Sequence, residues 1–378
     1  MKNKKRRTKV GIMVIGIAFL LTIISASCTG CKLYTLAWGN ENIEPEVATT
    51  TKITTTATPT TTVVTTTAPL PPKYTNPLTG EKSSEQISKQ RPFAVCIGNT
   101  AAAMPQFGIA NADILVEAPV EGGITRLMII SCSISPNAVV GSVRSTRTYL
   151  SDIAKDFDAL QAYAGTSDVG SSMHLAGCDT LDYIMQNLSE AYYRDPLRSS
   201  PHHIMTTGEK LFNSAVSLGY RTSFSEQGSN YPFSFVDYFE KAVMPDTQSK
   251  YVKIPFSSVQ TAEFKYDEES SMYTRYQFSS VHTDAENNEP LTYKNLILLF
   301  CDAVTYDKST GTEISLDIQS GGSGYYISDG KYMDIIWHRD ESSNLKLCDK
   351  SGKALEINRG KTYIGLVKVS TKNSVVLN

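Results

Sequence analysis

The sequence predicts an α+β protein: an N-terminal α/β-type module followed by a mainly antiparallel β module. Three observations carry this. Apolar runs alternate with stretches of helical spacing between Arg91 and Leu218. A Gly122-Gly123 pair sits between two apolar runs, and paired glycines supply the positive φ angles of a tight β-hairpin turn. From about Tyr231 the chain turns rich in Tyr, Phe, Val and Thr, with turn residues about every 8 to 12 positions, the spacing of short strands.

The elements follow in order. Phe93-Ala-Val-Cys-Ile97 is a continuous apolar run, the pattern of a buried strand. Residues 112–120 form a second strand, Glu121-Gly122-Gly123 the turn, and residues 125–132 the returning partner. From Ser145 the spacing changes: Tyr149, Leu150, Ile153, Ala154 and Phe157 recur three and four apart, which predicts a helix over 145–157. A strand at 159–164 and a helix at 207–218 follow. In the second module, strands are expected at 262–267, 272–279, 293–304, 312–318, 324–328, 331–338 and 361–369. Asp329-Gly330 and Ser351-Gly352 have the composition of hairpin turns. The stretch from Asn76 to Asn378 is long for one core, so two modules are expected, 76–230 and 231–378.

Ahead of these lies a leader. Lys2, Lys4, Lys5, Arg6, Arg7 and Lys9 precede an uncharged apolar run from Val10 to Ile24, and Ser25-Ala26-Ser27-Cys28 closes it. This pattern predicts a lipoprotein signal peptide over 1–27, with lipidation at Cys28 on the outer face of the cytoplasmic membrane. No charge occurs between Val10 and Cys31, and about 20 apolar residues suffice to span a bilayer, so a single N-terminal transmembrane anchor is the alternative. The basic start stays inside in both cases, and the chain after residue 31 is exported. Residues 49–72 are dominated by Thr and Pro, too poor in apolar surface to form a core. Residues 28–75 are expected to be a disordered stalk with a reach of roughly 40 Å.

The chain carries a formal charge of −2. Removing six basic residues with the leader gives −2 − 6 = −8, which argues against nucleic acid as a partner. There is no Gly-x-Ser-x-Gly, Ser-x-x-Lys, His-Glu-x-x-His or phosphate-binding Gly-rich loop ending in Lys-Ser/Thr. No cofactor is expected. Adjacent side chains diverge on a strand, so His202 and His203 do not suggest a metal site either. Seven cysteines are present, five of them in the body: 96, 132, 178, 301 and 348. An odd number cannot all pair internally; a Cys96–Cys132 bridge is open if their runs are neighbouring strands.

The densest polar constellation is Gly141-Ser-Val-Arg-Ser-Thr-Arg147, just before the first long helix. Ser142 or Ser145 is placed to cap that helix. Arg144 and Arg147 then lie at its positive end, against the macrodipole, and a bound anion would relieve the conflict. Internal pairing with Glu117, Glu121 or Asp195 is the alternative. Arg126 after the Gly-Gly turn, Asn99 at the end of the first strand and His202 in the Ser200-Pro201 loop complete the candidate binding set: Asn99, Arg126, Arg144, Ser145, Arg147 and His202. Asp113, Glu117 and Glu121 stand at four-residue steps, one face of a strand. They suit an acid/base pair drawn from Glu121 and Glu117, or a structural ion-pair ladder. Tyr325, Tyr326, Tyr332 and Trp337 suit sugar stacking or core packing.

These residues resemble the YerB-like lipoproteins. The resemblance rests on Arg91-Pro-Phe-Ala-Val95, Pro105-Gln106, Gly108, Ala112-Asp113, Glu117, Glu121-Gly-Gly-Ile-Thr-Arg126 and Gly141-Ser-Val-Arg-Ser-Thr-Arg147. Arg194-Asp195 and Ser200-Pro201-His202 fit as well. In the second module it rests on Gly324-Tyr-Tyr-Ile327, Gly330-Lys331, Trp337, Asp349, Gly352 and Gly360-Lys361-Thr362. It implies two consecutive domains of unknown function behind a lipobox, on the outer membrane face, with a partner in cell-wall synthesis. The long Thr-rich stalk departs from the family pattern, as does Ser142, where Pro is usual. The expectation is a non-catalytic envelope protein that takes an anionic wall polymer or a wall-synthesis protein as partner. A carboxylate-dependent wall hydrolase is the alternative.

Overall fold

In a computed structural model, which describes residues 69–166, 178–225, 231–308 and 311–378, the chain is mostly β-sheet with few helices. The leader, Cys28 and the Thr-rich tract lie outside the described residues. The first half supplies β1 (Phe93–Asn99), β2 (Ile114–Pro119), β3 (Thr125–Ser131), β4 (Val139–Gly141), β5 (Leu160–Tyr163), β6 (Thr180–Asp182), β7 (Tyr193–Arg194) and β8 (Ile204–Thr207). Its helices are α1 (Glu85–Lys89), α2 (Thr148–Asp156) and α3 (Gly208–Ser217). The second half supplies β9 (Ser234–Phe235), β10 (Tyr251–Pro255), β11 (Thr261–Asp267), β12 (Met272–Gln277), β13 (Ser280–Val281), β14 (Thr292–Tyr293) and β15 (Asn295–Lys308). It continues through β16 (Gly311–Asp317), β17 (Gly322–Ser328), β18 (Lys331–Arg339), β19 (Leu345–Asp349), β20 (Glu356–Ile357), β21 (Thr362–Lys368) and β22 (Val376–Leu377).

One sheet runs through both halves in the order β19-β18-β17-β15-β21-β2-β3-β1-β5-β6, with β16 paired to β15. The halves join where β21 pairs in parallel with β2, Ile114 opposite Thr362 and Glu117 opposite Gly365. β2 and β3 are antiparallel, Pro119 opposite Thr125, and Gly122 and Gly123 take positive φ between them. Asp329 and Gly330, both at positive φ, connect β17 to β18 with Ser328 opposite Lys331. That is the two-residue turn whose twist matches paired strands.

Period-two alternation sends the central strands' side chains to two cores. Val95, Ile97, Leu115, Leu127 and Ile129 pack with Val252, Ile254, Phe264 and Tyr273 of a second sheet built on β10–β14 and β22. Ala94, Cys96, Val116, Met128 and Ile130 pack on the other face with Tyr149, Leu150, Ile153, Ala154 and Phe157 from α2 and its end. Both faces are covered, so the central strands read as unbroken apolar runs. Tyr326 and Trp337 are buried in this second core. Tyr325 is partly buried, edge-on to Phe300 and Tyr332.

One expectation and two open alternatives come out differently. The helix begins at Thr148, not 145, and its N-cap is Arg147 with no side-chain cap from Ser142 or Ser145. The reason is that the preceding backbone is already bonded: Gly98 N donates to Ser142 O, Val143 N to Ile204 O, Arg144 N to Cys96 O and Thr146 N to Gly165 O. Cys96 and Cys132 are unbridged; the register sets Cys96 opposite Met128, a different rung from Cys132. Asp195 pairs with Arg198 and not with Arg144 or Arg147.

Candidate functional site

The site grows from the one-residue parity of β1 and β3. Arg126 stands opposite Gly98 on one side and Ala118 on the other. Two small neighbours on the same sheet face leave room for the guanidinium. Arg126 is 3% exposed. Among the described residues it makes one long side-chain bond, from Nη2 to Ser145 Oγ at 3.4 Å, and its Nε is buried without a partner. Burial, then the charges of Arg147 and Arg144, push its pKa down; a guanidinium still remains cationic at neutral pH.

The segment between β4 and α2 bonds to the end of β1, Val143 opposite Ile97, and delivers the other arginines. Arg144 donates from Nη1 to Pro201 O at 2.8 Å, while its Nε is buried without a partner. Arg147 grips Glu121: its Nε donates to both carboxylate oxygens, at 3.0 and 3.1 Å, and its Nη2 to Oε2. Its Nη1 donates to Ser145 Oγ at 3.0 Å and Thr146 O at 2.6 Å. Among the described residues, no carboxylate pairs with Arg126 or Arg144. Ser142 Oγ and His202 Nδ1 are also buried and unpartnered. Burial, then Arg144, Arg126, Arg198 and His203, lower the pKa of His202, which places its imidazole in the field of the same cluster. His203 turns elsewhere, to Arg194 Nη1 at 2.7 Å.

The remaining predicted residues go to the opposite face. Asn99 Nδ2 donates to Glu117 Oε1 at 2.9 Å and Thr125 Oγ1 at 2.7 Å. Glu117 forms a fully buried pair with Arg275 Nη2 at 2.8 Å and accepts from Tyr363 Oη at 2.8 Å and Thr125 Oγ1 at 2.7 Å. Arg275 also bonds His282 Nδ1, whose Nε2 meets Gln106 Oε1 at 2.8 Å. Glu117 and Glu121 thus enter separate networks. Burial pushes the Glu121 carboxyl up, but bonds from Arg147 and its charge outweigh this and hold it below its usual value. Neither carboxylate has the form of a poised proton donor: one is sealed from solvent, the other is held ionised.

Sequence reasoning missed Gly98, Arg275, His282 and Tyr363. Gly98 carried a signal, because a glycine inside a strand marks close backbone approach. A Cβ there would lie 3.1 Å from Ala103 Cβ, 3.3 Å from Arg144 Cγ and 3.4 Å from Ser142 Oγ.

Residues 78–221 match the family described as "Protein of unknown function (DUF3048) N-terminal domain", and residues 252–364 match its C-terminal domain. The chain is 29% identical over 301 residues to "Putative lipoprotein YerB" of Bacillus subtilis (strain 168), covering 78% of this chain and 86% of that protein. The crystal structure of YerB from Bacillus subtilis superposes with a TM-score of 0.70 at 25% identity, covering 81% of this chain and 100% of that one. The chain therefore belongs to the two-domain YerB-like family.

Proposed function

We propose that this protein is a lipoprotein tethered through Cys28 to the outer face of the cytoplasmic membrane, and that it binds an anionic envelope component in the Arg126–Arg144–Arg147 pocket without catalysis. The tether reading rests on the basic, apolar and Ser-Ala-Ser-Cys order of residues 2–28 and on likeness to a protein named as a lipoprotein. No helix among the described residues is long and apolar enough to cross a membrane. In this reading residues 28–75 are the stalk, and 76–230 and 231–378 are the N-terminal α/β-type and C-terminal β-rich modules of one folded body.

The observation that carries the binding reading is Arg126. It is buried, has no carboxylate partner among the described residues, and keeps an unbonded Nε. A buried charge without a partner is costly, and an anion supplied from outside removes the cost. A thermal-shift series of anions on the full chain in neutral detergent tests it. Ligand at 100 times its Kd adds about 2.7 kcal/mol of stability, and that gain should vanish in Arg144→Ala with Arg147→Ala. No anion-dependent shift in the wild type overturns the pocket. Retention of the lipid in Cys28→Ala, measured by intact mass, overturns the tether.

A further inference from the structure

We infer that the anion is the terminal phosphate of a phosphomonoester. The inference rests on the pocket reading and specifies its ligand. Charge comes first. Arg126, Arg144 and Arg147 bring three positive charges and Glu121 returns one negative, so 3 − 1 = +2 remains. A carboxylate or a phosphodiester carries one negative charge; a phosphomonoester carries about −1.5 to −2 at neutral pH.

Donor geometry agrees. Among the described residues, Arg126 Nε, Arg144 Nε, Ser142 Oγ and His202 Nδ1 are four buried polar atoms without partners. They come from two separate strands' worth of backbone, β3 and the β4–α2 segment, and from the 200–203 loop. A carboxylate accepts through two oxygens in one plane. Polar atoms supplied by three chain segments suit the three oxygens of a tetrahedral group better. Bare Gly98 lets Ser142 and Arg144 pack close against β1 beside Arg126, where a Cβ would crowd Ser142 Oγ and Arg144 Cγ. Arg144, Ser145 and His202 are only half-buried and connect the cluster to solvent.

The test is titration calorimetry at pH 8 on the full-length protein in nonionic detergent, with glycerol phosphate, dimethyl phosphate and acetate at matched ionic strength. Glycerol phosphate should bind at least about tenfold more tightly than the other two, a gap of one charge-assisted contact. Arg144→Gln and Ser142→Ala should each weaken it while the ligand-free melting temperature holds. Equal binding of the diester or acetate overturns the phosphomonoester and leaves the anion pocket standing. Absence of binding by all three overturns both. A second arm uses protein reconstituted into phosphatidylcholine vesicles with and without phosphatidic acid. Competition by phosphatidic acid assigns a lipid headgroup, and unchanged glycerol phosphate binding assigns a soluble ester.

Discussion

Replacing Glu121 with Gln should move stability and affinity in opposite directions. The Glu121 side chain is 25% exposed and that of Arg147 is 9% exposed. Hydrogen bonds to a charged partner contribute about 1.5–3 kcal/mol; with partial solvent screening the loss in Glu121→Gln is about 1–2 kcal/mol. Unfolding entropy of about 2.1 cal/mol/K per residue over roughly 300 residues gives about 0.6 kcal/mol/K, so the melting temperature should fall by about 2–3 °C. Affinity should rise. A unit charge about 8 Å from a dianion contributes about 4 kcal/mol at an effective dielectric constant of about 20. Salt with a Debye length of about 8 Å reduces this to about 1.5 kcal/mol, or about tenfold in Kd. Glycerol phosphate titration and scanning calorimetry on one preparation measure both. Because the folded Glu121 carboxyl is held below its ordinary 4.5, its stabilising effect is present above that value and is lost as pH falls through the lower folded pKa. The melting difference between wild type and variant should therefore close in acid. Unchanged or weakened anion binding in Glu121→Gln would refute the electrostatic argument. Wall fragments released by the wild type and not by the variant would instead restore a hydrolase.

Arg275→Met leaves the buried Glu117 without its cation, so it should cost about 3–5 kcal/mol in urea unfolding. Adding Glu117→Gln should recover a large part of that, and strictly additive losses would show that the pair is uncoupled. Gly98→Ala places a Cβ against Arg144 and Ser142; it should cost about 1–3 kcal/mol yet weaken glycerol phosphate disproportionately, and intact affinity would remove Gly98 from the site. His202 is held below its usual pKa by burial and by Arg144, Arg126, Arg198 and His203, so a bound dianion should raise it. Sulfate binding near pH 6.5 should then take up protons, seen as a buffer-dependent heat in calorimetry, and His202→Gln should abolish the uptake.

How much of this was legible varies with the range of the interaction that decides it. The strands at 93–99, 114–119 and 125–131 are visible because both faces are buried and the apolar runs are continuous. The Asp329-Gly330 turn is visible because its backbone demand is local. The junction of β2 with β21 has no local signature: it pairs residues about 250 positions apart, and nothing in either strand names its partner. Arg275 misleads for a related reason. In β12 the inward residues are Tyr273, Arg275 and Gln277, so a charged side chain occupies the buried parity that propensity assigns to apolar ones; only its partner Glu117, from the first half, explains it. The helix start is not legible because the backbone bonds of residues 142–146 to three different segments have no local signature.

The split of Asn99 from Arg126 follows from register. Asn99 lies opposite Thr125, and Gly98 opposite Arg126. A strand's side chains alternate, so the neutral amide and the guanidinium must face different cores. That parity separates two kinds of buried charge. Below the sheet, Glu117 and Arg275 neutralise each other within the fold. Above it, the same architecture leaves Arg126 and Arg144 without a carboxylate among the described residues. Cleaved before Cys28 as proposed, the chain would be acidic, −2 − 6 = −8, so an anion approaching from a distance would gain no steering. Attraction begins only within a Debye length of about 8 Å. Such a pocket discriminates at contact and does not gather ligand from bulk solution. It therefore suits a ligand already concentrated beside the membrane, where the proposed tether through residues 28–75 would hold it, within roughly 40 Å. If the proposed tether holds, lengthening residues 28–75 should leave the Kd for soluble glycerol phosphate unchanged while altering capture of phosphate groups fixed in the same bilayer. A changed soluble Kd would mean that the tether contributes to the pocket itself.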